Sequence, residues 1–317
     1  MTRRITTIYT TNLPAELIRV PLAKHIPDVE VISLNSAEEF EAAAPDIEYL
    51  FALLPFRGLW EKAPKLKLIQ IISTGVDSLL PAADLPEHVK ISNARGVHGV
   101  QMGEFALMMM LDFAKNVPRI RQQQTDKVWN MFQPTNLSGK TCGIIGLGAV
   151  GEAIAERAHA MGMKVIATQR TPKSCEHVSE IFPPEQTAEV AARSDYLVLV
   201  VPLTDDTRNL FDAEMIARMK PDAVMVNLSR GGVVNEEALA KALNDGTIKG
   251  AAIDVFETEP LPADNPFWTT PNTLLTPHMA ASDTNYVPMV VDILAENINR
   301  VNKGETLVNE VDRYRGY

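Results

Sequence analysis

The apolar run Thr141–Ile145 leads directly into Gly146-Leu147-Gly148-Ala149-Val150-Gly151, and helix-forming residues follow. A G-x-G-x-x-G placed between a buried strand and a helix restricts the fold far more than the same letters elsewhere. Gly146 would allow the tight turn, Gly148 would let backbone approach a pyrophosphate, and Gly151 would let the helix pack closely on the sheet. The N–H groups of the first helical turn, Ala149 and Val150 among them, would then face the phosphates at the positive end of the helix.

The surroundings extend this unit into a series. Thr141–Ile145, Lys164–Thr168, Tyr196–Val201, Ala223–Leu228 and Gly250–Asp254 are apolar strands of the type buried on both faces, separated by helices such as Ala149–Met161 and Asn235–Asn244. A similar alternation precedes it, with strands expected at Ile5–Thr10, Val29–Leu34, Tyr49–Leu54, Leu68–Ile72 and Val89–Ser92. A helix is expected over Ala37–Ala44, with Ser36 as N-cap and Glu39 three residues on. A long helix from Val100 to about Lys115 should stop near Pro118, and Gln122–Ser138 reads as polar and irregular. A final helix is expected over Asn285–Val301, after the strand-like Thr273–Leu275. The fold class is α/β, with two doubly wound, Rossmann-like parallel-sheet domains. A length of 317 residues agrees with two cores rather than one.

Charge narrows the function classes. Thirty basic against 40 acidic residues, with no basic stripe, argue against nucleic acid. Two cysteines imply no disulfide framework: Cys142 reads as a small buried hydrophobe and Cys175 lies in a polar stretch. The segment from Met1 to Arg4 has basic residues but no apolar core of signal-peptide length, and Phe105–Leu111 is too short to span a bilayer. The expectation is a cytoplasmic enzyme with no membrane contact. No histidine pattern suits a metal: His25, His88, His98, His159 and His177 are scattered and need no role.

In an NAD-binding unit the second strand ends in an acid that accepts hydrogen bonds from the ribose hydroxyls. Here it ends in Gln169-Arg170-Thr171-Pro172-Lys173, and the nearest acid is Glu176. A missing carboxylate with Arg170 and Lys173 beside it suits the extra phosphate of NADP, so NADP is preferred over NAD. The plainer reading makes both cations ordinary solvated loop residues.

Three segments lie at carboxyl ends of later strands, where open parallel sheets place ligands. They are Val226-Asn227-Leu228-Ser229-Arg230-Gly231-Gly232, Asp254-Val255-Phe256-Glu257-Thr258-Glu259-Pro260 and Leu275-Thr276-Pro277-His278. With Leu137–Lys140, Val201-Pro202-Leu203-Thr204 and Met219-Lys220-Pro221, the ordered set resembles the D-isomer-specific 2-hydroxyacid dehydrogenase family, which includes glyoxylate and hydroxypyruvate reductases. The first domain is similar more loosely, through Ser73-Thr74-Gly75-Val76-Asp77 and Asn93 to Glu104.

The resemblance implies that Arg230 binds substrate, that His278 is the acid/base and that Glu259 is its carboxylate partner. The chemistry agrees. A guanidinium fork can hold both a carboxylate and a carbonyl oxygen of a 2-oxo acid. A histidine beside a carboxylate suits proton transfer to that oxygen as hydride reaches carbon. Singly, each residue also has a structural reading: Arg230 as a strand cap, Glu259 as a turn residue, His278 as a satisfied histidine. Together, downstream of the glycine turn, they read as a site.

The resemblance further implies that backbone N–H groups at Gly75 and Val76 receive the substrate carboxylate, although a tight turn explains them equally well. It sets Asp254 against the nicotinamide carboxamide and places Pro202, Thr207, His278 and Ala280 among the cofactor contacts. It assigns residues 1–98 with 285–317 to a substrate domain and 99–284 to a dinucleotide-binding domain, with the active site in the cleft between them. The resemblance also suggests a homodimer contact through the long helix from Val100. The competing readings are a phosphite dehydrogenase on the same fold and a corepressor-type nucleotide sensor, which would bind tightly and turn over negligibly. A formate dehydrogenase is disfavoured, because those resembling enzymes carry glutamine where Glu259 stands.

Overall fold

The computed structural model describes residues 6–76 and 79–313. Ile5, Asp77 and the basic Arg3 and Arg4 lie outside them. The first segment runs β1 (Thr6–Thr11), α1 (Ala15–Leu22), β2 (Val29–Leu34), α2 (Ala37–Ala43), β3 (Tyr49–Ala52), β4 (Leu68–Ile71) and β5 (Lys90–Ser92). Its strands form one parallel sheet in the order β2-β1-β3-β4-β5. Successive residues of a strand face opposite sides, and both sides are covered. Ile8, Phe51 and Leu68 pack with Ile18 and Leu22 of α1. Leu50, Ile69 and Ile71 pack with Phe40 and Trp60 on the other face. Such strands read as unbroken apolar runs for this reason. Ser36 caps α2 by accepting the Glu39 N–H at 3.2 Å, while the Glu39 carboxylate accepts from Asn35 N–H at 2.7 Å rather than from Ser36.

The second segment opens with α3 (Gly99–Lys115) and α4 (Val117–Asp126), then runs β6 (Thr141–Ile145), α5 (Ala149–Ala160), β7 (Lys164–Thr168), β8 (Glu180–Phe182), α6 (Thr187–Arg193), β9 (Tyr196–Leu199), α7 (Ala213–Ala217), β10 (Val224–Asn227), α8 (Glu236–Asn244), β11 (Gly250–Ile253) and β12 (Thr273–Leu275). The sheet is parallel, in the order β12-β11-β10-β9-β6-β7-β8. The order reverses between β6 and β9, the switch point where such sheets receive ligands. One face carries Met109 and Met110 of α3 with Ile154 and Ala158 of α5 over Ile144, Val198 and Val226. The other carries Leu239 and Leu243 of α8 over Leu197, Leu199 and Met225. Cys142 is fully buried, and burial pushes its thiol up to about 12.

Pro118 behaves differently from the expectation. The helix from Gly99 ends at Lys115 because Asn116 adopts a left-handed conformation (φ 51°), and Pro118 lies in the first turn of α4. A proline there needs no N–H and has a suitable φ, so it starts a helix instead of stopping one. Helix therefore continues to Asp126 through residues that read as irregular.

The last helix, α9 (Tyr286–Lys303), packs on the first sheet through Val290, Val291, Leu294 and Ile298. The chain divides into two compact units, Met1–Val97 with Asp283–Tyr317, and His98–Ser282. In the first unit the buried Asn297 ties helix to sheet. Its Nδ2 donates toward Ser92 Oγ (2.9 Å), Val308 O (3.1 Å) and Gln70 Oε1 (3.2 Å), and its Oδ1 accepts from Val308 N–H (2.8 Å). Among the described residues, no helix is long and apolar enough to cross a membrane.

Candidate functional site

The turn after β6 has the shape its glycines suggest. Gly146 has φ +103°, which glycine alone adopts readily, and it lies against the backbone of Val200 on the neighbouring β9 edge. A Cβ on Gly151 would stand 2.4 Å from Gly146 O, whereas one on Gly148 would meet nothing within 4 Å. The turn is therefore tight where helix meets strand and open where a ligand would approach. The first bond of α5 runs from Glu152 N–H to Gly148 O at 2.8 Å, which leaves the N–H groups of Ala149, Val150 and Gly151 ahead of the helical ladder. This is a cradle for a pyrophosphate, and the residues present fit a dinucleotide.

The end of β7 is laced to the same turn. Gly146 N–H donates to Thr168 Oγ1 (3.1 Å) and Leu147 N–H to Thr168 O (2.8 Å). Gln169 stands where an NAD enzyme would have its acid. Its Nε2 donates to Leu147 O and its Oε1 accepts from Lys173 N–H, both at 2.8 Å. The side chain thus folds the 169–173 loop against the phosphate turn, with Arg170, Thr171 and Lys173 exposed on it.

His278 and Glu259 meet. Their Nδ1 and Oε2 atoms are 2.7 Å apart, with the two side chains 47% and 35% exposed. A carboxylate can only accept, so Nδ1 carries the shared proton, which leaves Nε2 as the ring nitrogen for chemistry. The other Glu259 oxygen accepts from Phe256 N–H at 2.9 Å, which fixes the carboxylate in its own turn.

The backbone of His278 is left-handed (φ 49°), a conformation that costs a non-glycine residue about 1–2 kcal/mol. Asp254, only 2% exposed, holds it there. Its Oδ1 accepts from Thr276 Oγ1 (2.6 Å) and Met279 N–H (2.9 Å), and its Oδ2 from Ala280 N–H (3.0 Å). The Asp254 carbonyl accepts the His278 N–H at 2.9 Å. The carboxylate that the resemblance sets against a nicotinamide is thus already the organiser of the histidine turn.

Arg230 follows a turn stitched by Asn227, whose Oδ1 accepts from Ser229 N–H (3.2 Å) and Ser229 Oγ (2.5 Å). Its guanidinium donates to Ser229 O at 2.8 Å. The next residue, Gly231, touches the turn that bears Glu259: a Cβ there would lie 2.0 Å from Phe256 O and 2.5 Å from Glu257 N. The arginine turn and the glutamate turn are therefore in backbone contact.

Two residues near this cluster escaped the sequence reading. His98, expected to need no role, is buried at the start of α3; burial, reinforced by the Arg230 charge, lowers its pKa from 6.5 to about 4. Glu236, in the first turn of α8, accepts the Glu257 N–H at 2.6 Å. The N-E-E start of that helix was the available signal, since first-turn acids favour a helix N-terminus.

Thr207 spends its hydroxyl locally, donating to Pro202 O (2.6 Å) and accepting from Thr204 N–H (2.8 Å). In the other unit, Gly75 and Val76 form a turn in which Gly75 O accepts from Ser73 Oγ (2.6 Å), and Val76 is buried. Among the described residues no group of three His, Cys, Asp or Glu could hold a metal.

Comparison with known proteins places these features in context. Residues 107–280 match the family model described as D-isomer specific 2-hydroxyacid dehydrogenase, NAD binding domain. A D-3-phosphoglycerate dehydrogenase of Methanocaldococcus jannaschii is 34% identical over 92% of this chain, which spans 57% of that relative's length. A D-isomer specific 2-hydroxyacid dehydrogenase of Xanthobacter autotrophicus, solved with NADPH and MES, superposes with a TM-score of 0.88 at 31% identity, covering 98% of this chain and 99% of its own. An NADPH-dependent glyoxylate/hydroxypyruvate reductase of Sinorhizobium meliloti, solved with NADP and sulfate, gives a TM-score of 0.87 at 30% identity, covering 99% and 100%.

Proposed function

The chain belongs to the D-isomer specific 2-hydroxyacid dehydrogenase family of NAD(P)-dependent oxidoreductases, and from that premise we propose that it reduces a small 2-oxo acid to the D-2-hydroxy acid, preferring NADPH. The observation that carries the reading is the 2.7 Å contact between His278 Nδ1 and Glu259 Oε2.

A bound reduced nicotinamide would supply the hydride. The protein's own groups do the rest. Arg230 holds the substrate carboxylate and carbonyl oxygen with its fork of donors. The Nε2 of His278 gives a proton to the carbonyl oxygen as carbon gains the hydride, and Glu259 keeps the ring oriented with its proton-bearing Nδ1 turned away. In the oxidative direction neutral His278 takes the hydroxyl proton. The first-turn N–H groups of α5 hold the pyrophosphate, and Asp254 keeps the 276–280 turn, including Ala280, in place. Pro202 and Thr207 contribute to cofactor binding through their turn, and Gly75 and Val76 offer backbone N–H groups to the substrate carboxylate, as the resemblance implies.

NADPH preference is supported by Gln169, whose amide is committed to Leu147 and Lys173, and by the exposed Arg170. The solved relative from Sinorhizobium meliloti is described as an NADPH-dependent glyoxylate/hydroxypyruvate reductase. A homodimer is supported by the arm after α3. No residue of α4 is buried, Trp129 is fully exposed and Met131 is 89% exposed, an apolar outlay a soluble monomer rarely shows.

The test is absorbance at 340 nm with glyoxylate, hydroxypyruvate and bulkier 2-oxo acids, each with NADPH and NADH. Steady NADPH oxidation with one of the acids is expected. Tight nucleotide binding without turnover would instead identify a sensor, and phosphite-dependent NADP+ reduction a phosphite dehydrogenase. Arg170→Ala should raise the KM for NADPH about tenfold and leave that for NADH unchanged; equal effects on both would remove the NADP assignment.

A further inference from the structure

Glu236 has no part in the reaction described above, yet it touches the machinery. It lies in the first turn of α8, 23 residues before Glu259, and its Oε1 accepts the Glu257 N–H at 2.6 Å. One residue earlier, Phe256 N–H binds Glu259 Oε1 at 2.9 Å, and the other Glu259 oxygen binds His278. The same turn abuts Gly231 so closely that no Cβ would fit. The 256–259 turn thus touches both the Arg230 turn and a carboxylate from α8.

The Glu236 carboxyl lies close enough to the turn to feel it electrostatically. Burial first, then the charges of Glu257 and Glu259, raise its pKa, while the Glu257 N–H bond opposes them. A carboxylate kept beside two others is costly in charge terms, so its hydrogen bond is the feature to explain. Asn235 already caps α8, accepting the Ala238 N–H at 2.9 Å, so the helix does not need the Glu236 side chain for a cap.

We propose that Glu236 is a positioning residue of the proposed reaction: by accepting the Glu257 N–H it holds the 256–259 turn, and through it Glu259, against His278. The inference rests on the acid/base reading of His278 and Glu259. Its content is reach, not charge. Glutamine at 236 keeps an acceptor oxygen at the same distance, whereas aspartate keeps the charge and the helix-start preference but falls one methylene short.

Three proteins decide it: the parent, Glu236→Gln and Glu236→Asp, each measured for kcat and KM with NADPH and the best 2-oxo acid, and checked for folding by circular dichroism melting. Displacing a catalytic group by even part of an ångström lowers the chemical rate steeply. The expected result is a kcat about tenfold lower in Glu236→Asp, nucleotide KM within about twofold, and near-parent kcat in Glu236→Gln. Aspartate is favourable in a first helical turn, so that variant should fold. Equal kcat in parent and Glu236→Asp, or equal losses in both variants, would overturn the proposal. A parent with no reductase activity would instead sink the functional reading, a separate outcome.

Discussion

Replacing Gly231 with alanine would test how tightly the arginine and glutamate turns are coupled. The added Cβ would stand 2.0 Å from Phe256 O, 2.2 Å from Phe256 C and 2.5 Å from Glu257 N. All three are backbone atoms, so no side chain can swing aside. Restoring ordinary contact would part the two turns by more than about 1 Å. Overpacking of this kind costs roughly 1–3 kcal/mol of stability. The functional cost should be larger, because Glu259 rides on the displaced turn and Arg230 precedes the substituted residue. A misplacement of about 1 Å at reacting groups lowers rates by about 10²-fold. Steady-state kinetics at 340 nm should therefore show kcat/KM about 10²-fold lower, while nucleotide affinity, measured by fluorescence titration, stays within about threefold because β9 lies between β10, which leads into Gly231, and β6, which bears the glycine turn. Activity within a few-fold of the parent in a folded Gly231→Ala protein would refute the coupling.

Three further outcomes follow from the same structure. Gly148→Ala should leave the melting temperature unchanged yet weaken nucleotide binding about tenfold, since its Cβ meets no protein atom but enters the open approach; Gly151→Ala, 2.4 Å from Gly146 O, should lower both stability and binding, as calorimetry can check. His98 has a folded pKa of about 4 against an ordinary 6.5, so its contribution is fully present above pH 6.5 and is lost as pH falls toward 4, about 3 kcal/mol in total. Denaturant unfolding from pH 7 to 4 should show a flatter decline in His98→Gln than in the parent, and parallel curves would contradict the burial argument. Asn297→Ala removes a buried hub of hydrogen bonds in the first unit and should cost about 2–4 kcal/mol in denaturant unfolding, with kcat of the folded protein unchanged.

What could be read in the sequence was what local chemistry dictates. The β6 strand, the glycine turn and α5 appear where the pattern puts them, because strand burial, a required positive φ and a helix start all act within eleven residues. Ser36 and Asn235 also act locally, as caps. Pro118 misled because proline ends one helix and begins another with the same geometry; only Asn116, turning left-handed just before it, distinguishes the two. The short β8 strand and α1, with Pro21 inside it, left too little periodicity to detect.

The His278–Glu259 pair was legible only through an ordered set of motifs, since a separation of 19 positions along the chain carries no geometric signal. Asp254 shows the limit in another way. Its three bonds to residues 276–280 are set by the register of β11 beside β12, a tertiary fact that no local pattern reports. His98 was set aside because the scattered histidines form no metal-ligand spacing, and its burial beside Arg230 depends on how α3 packs on the sheet.

In the proposed reaction His278 delivers the proton. Single-turnover stopped-flow oxidation of bound NADPH by the preferred 2-oxo acid, in the parent and in His278→Asn, tests it without interference from product release. The chemical step should be at least about 10²-fold slower in the variant, with nucleotide affinity retained. A rate within a few-fold of the parent would contradict it.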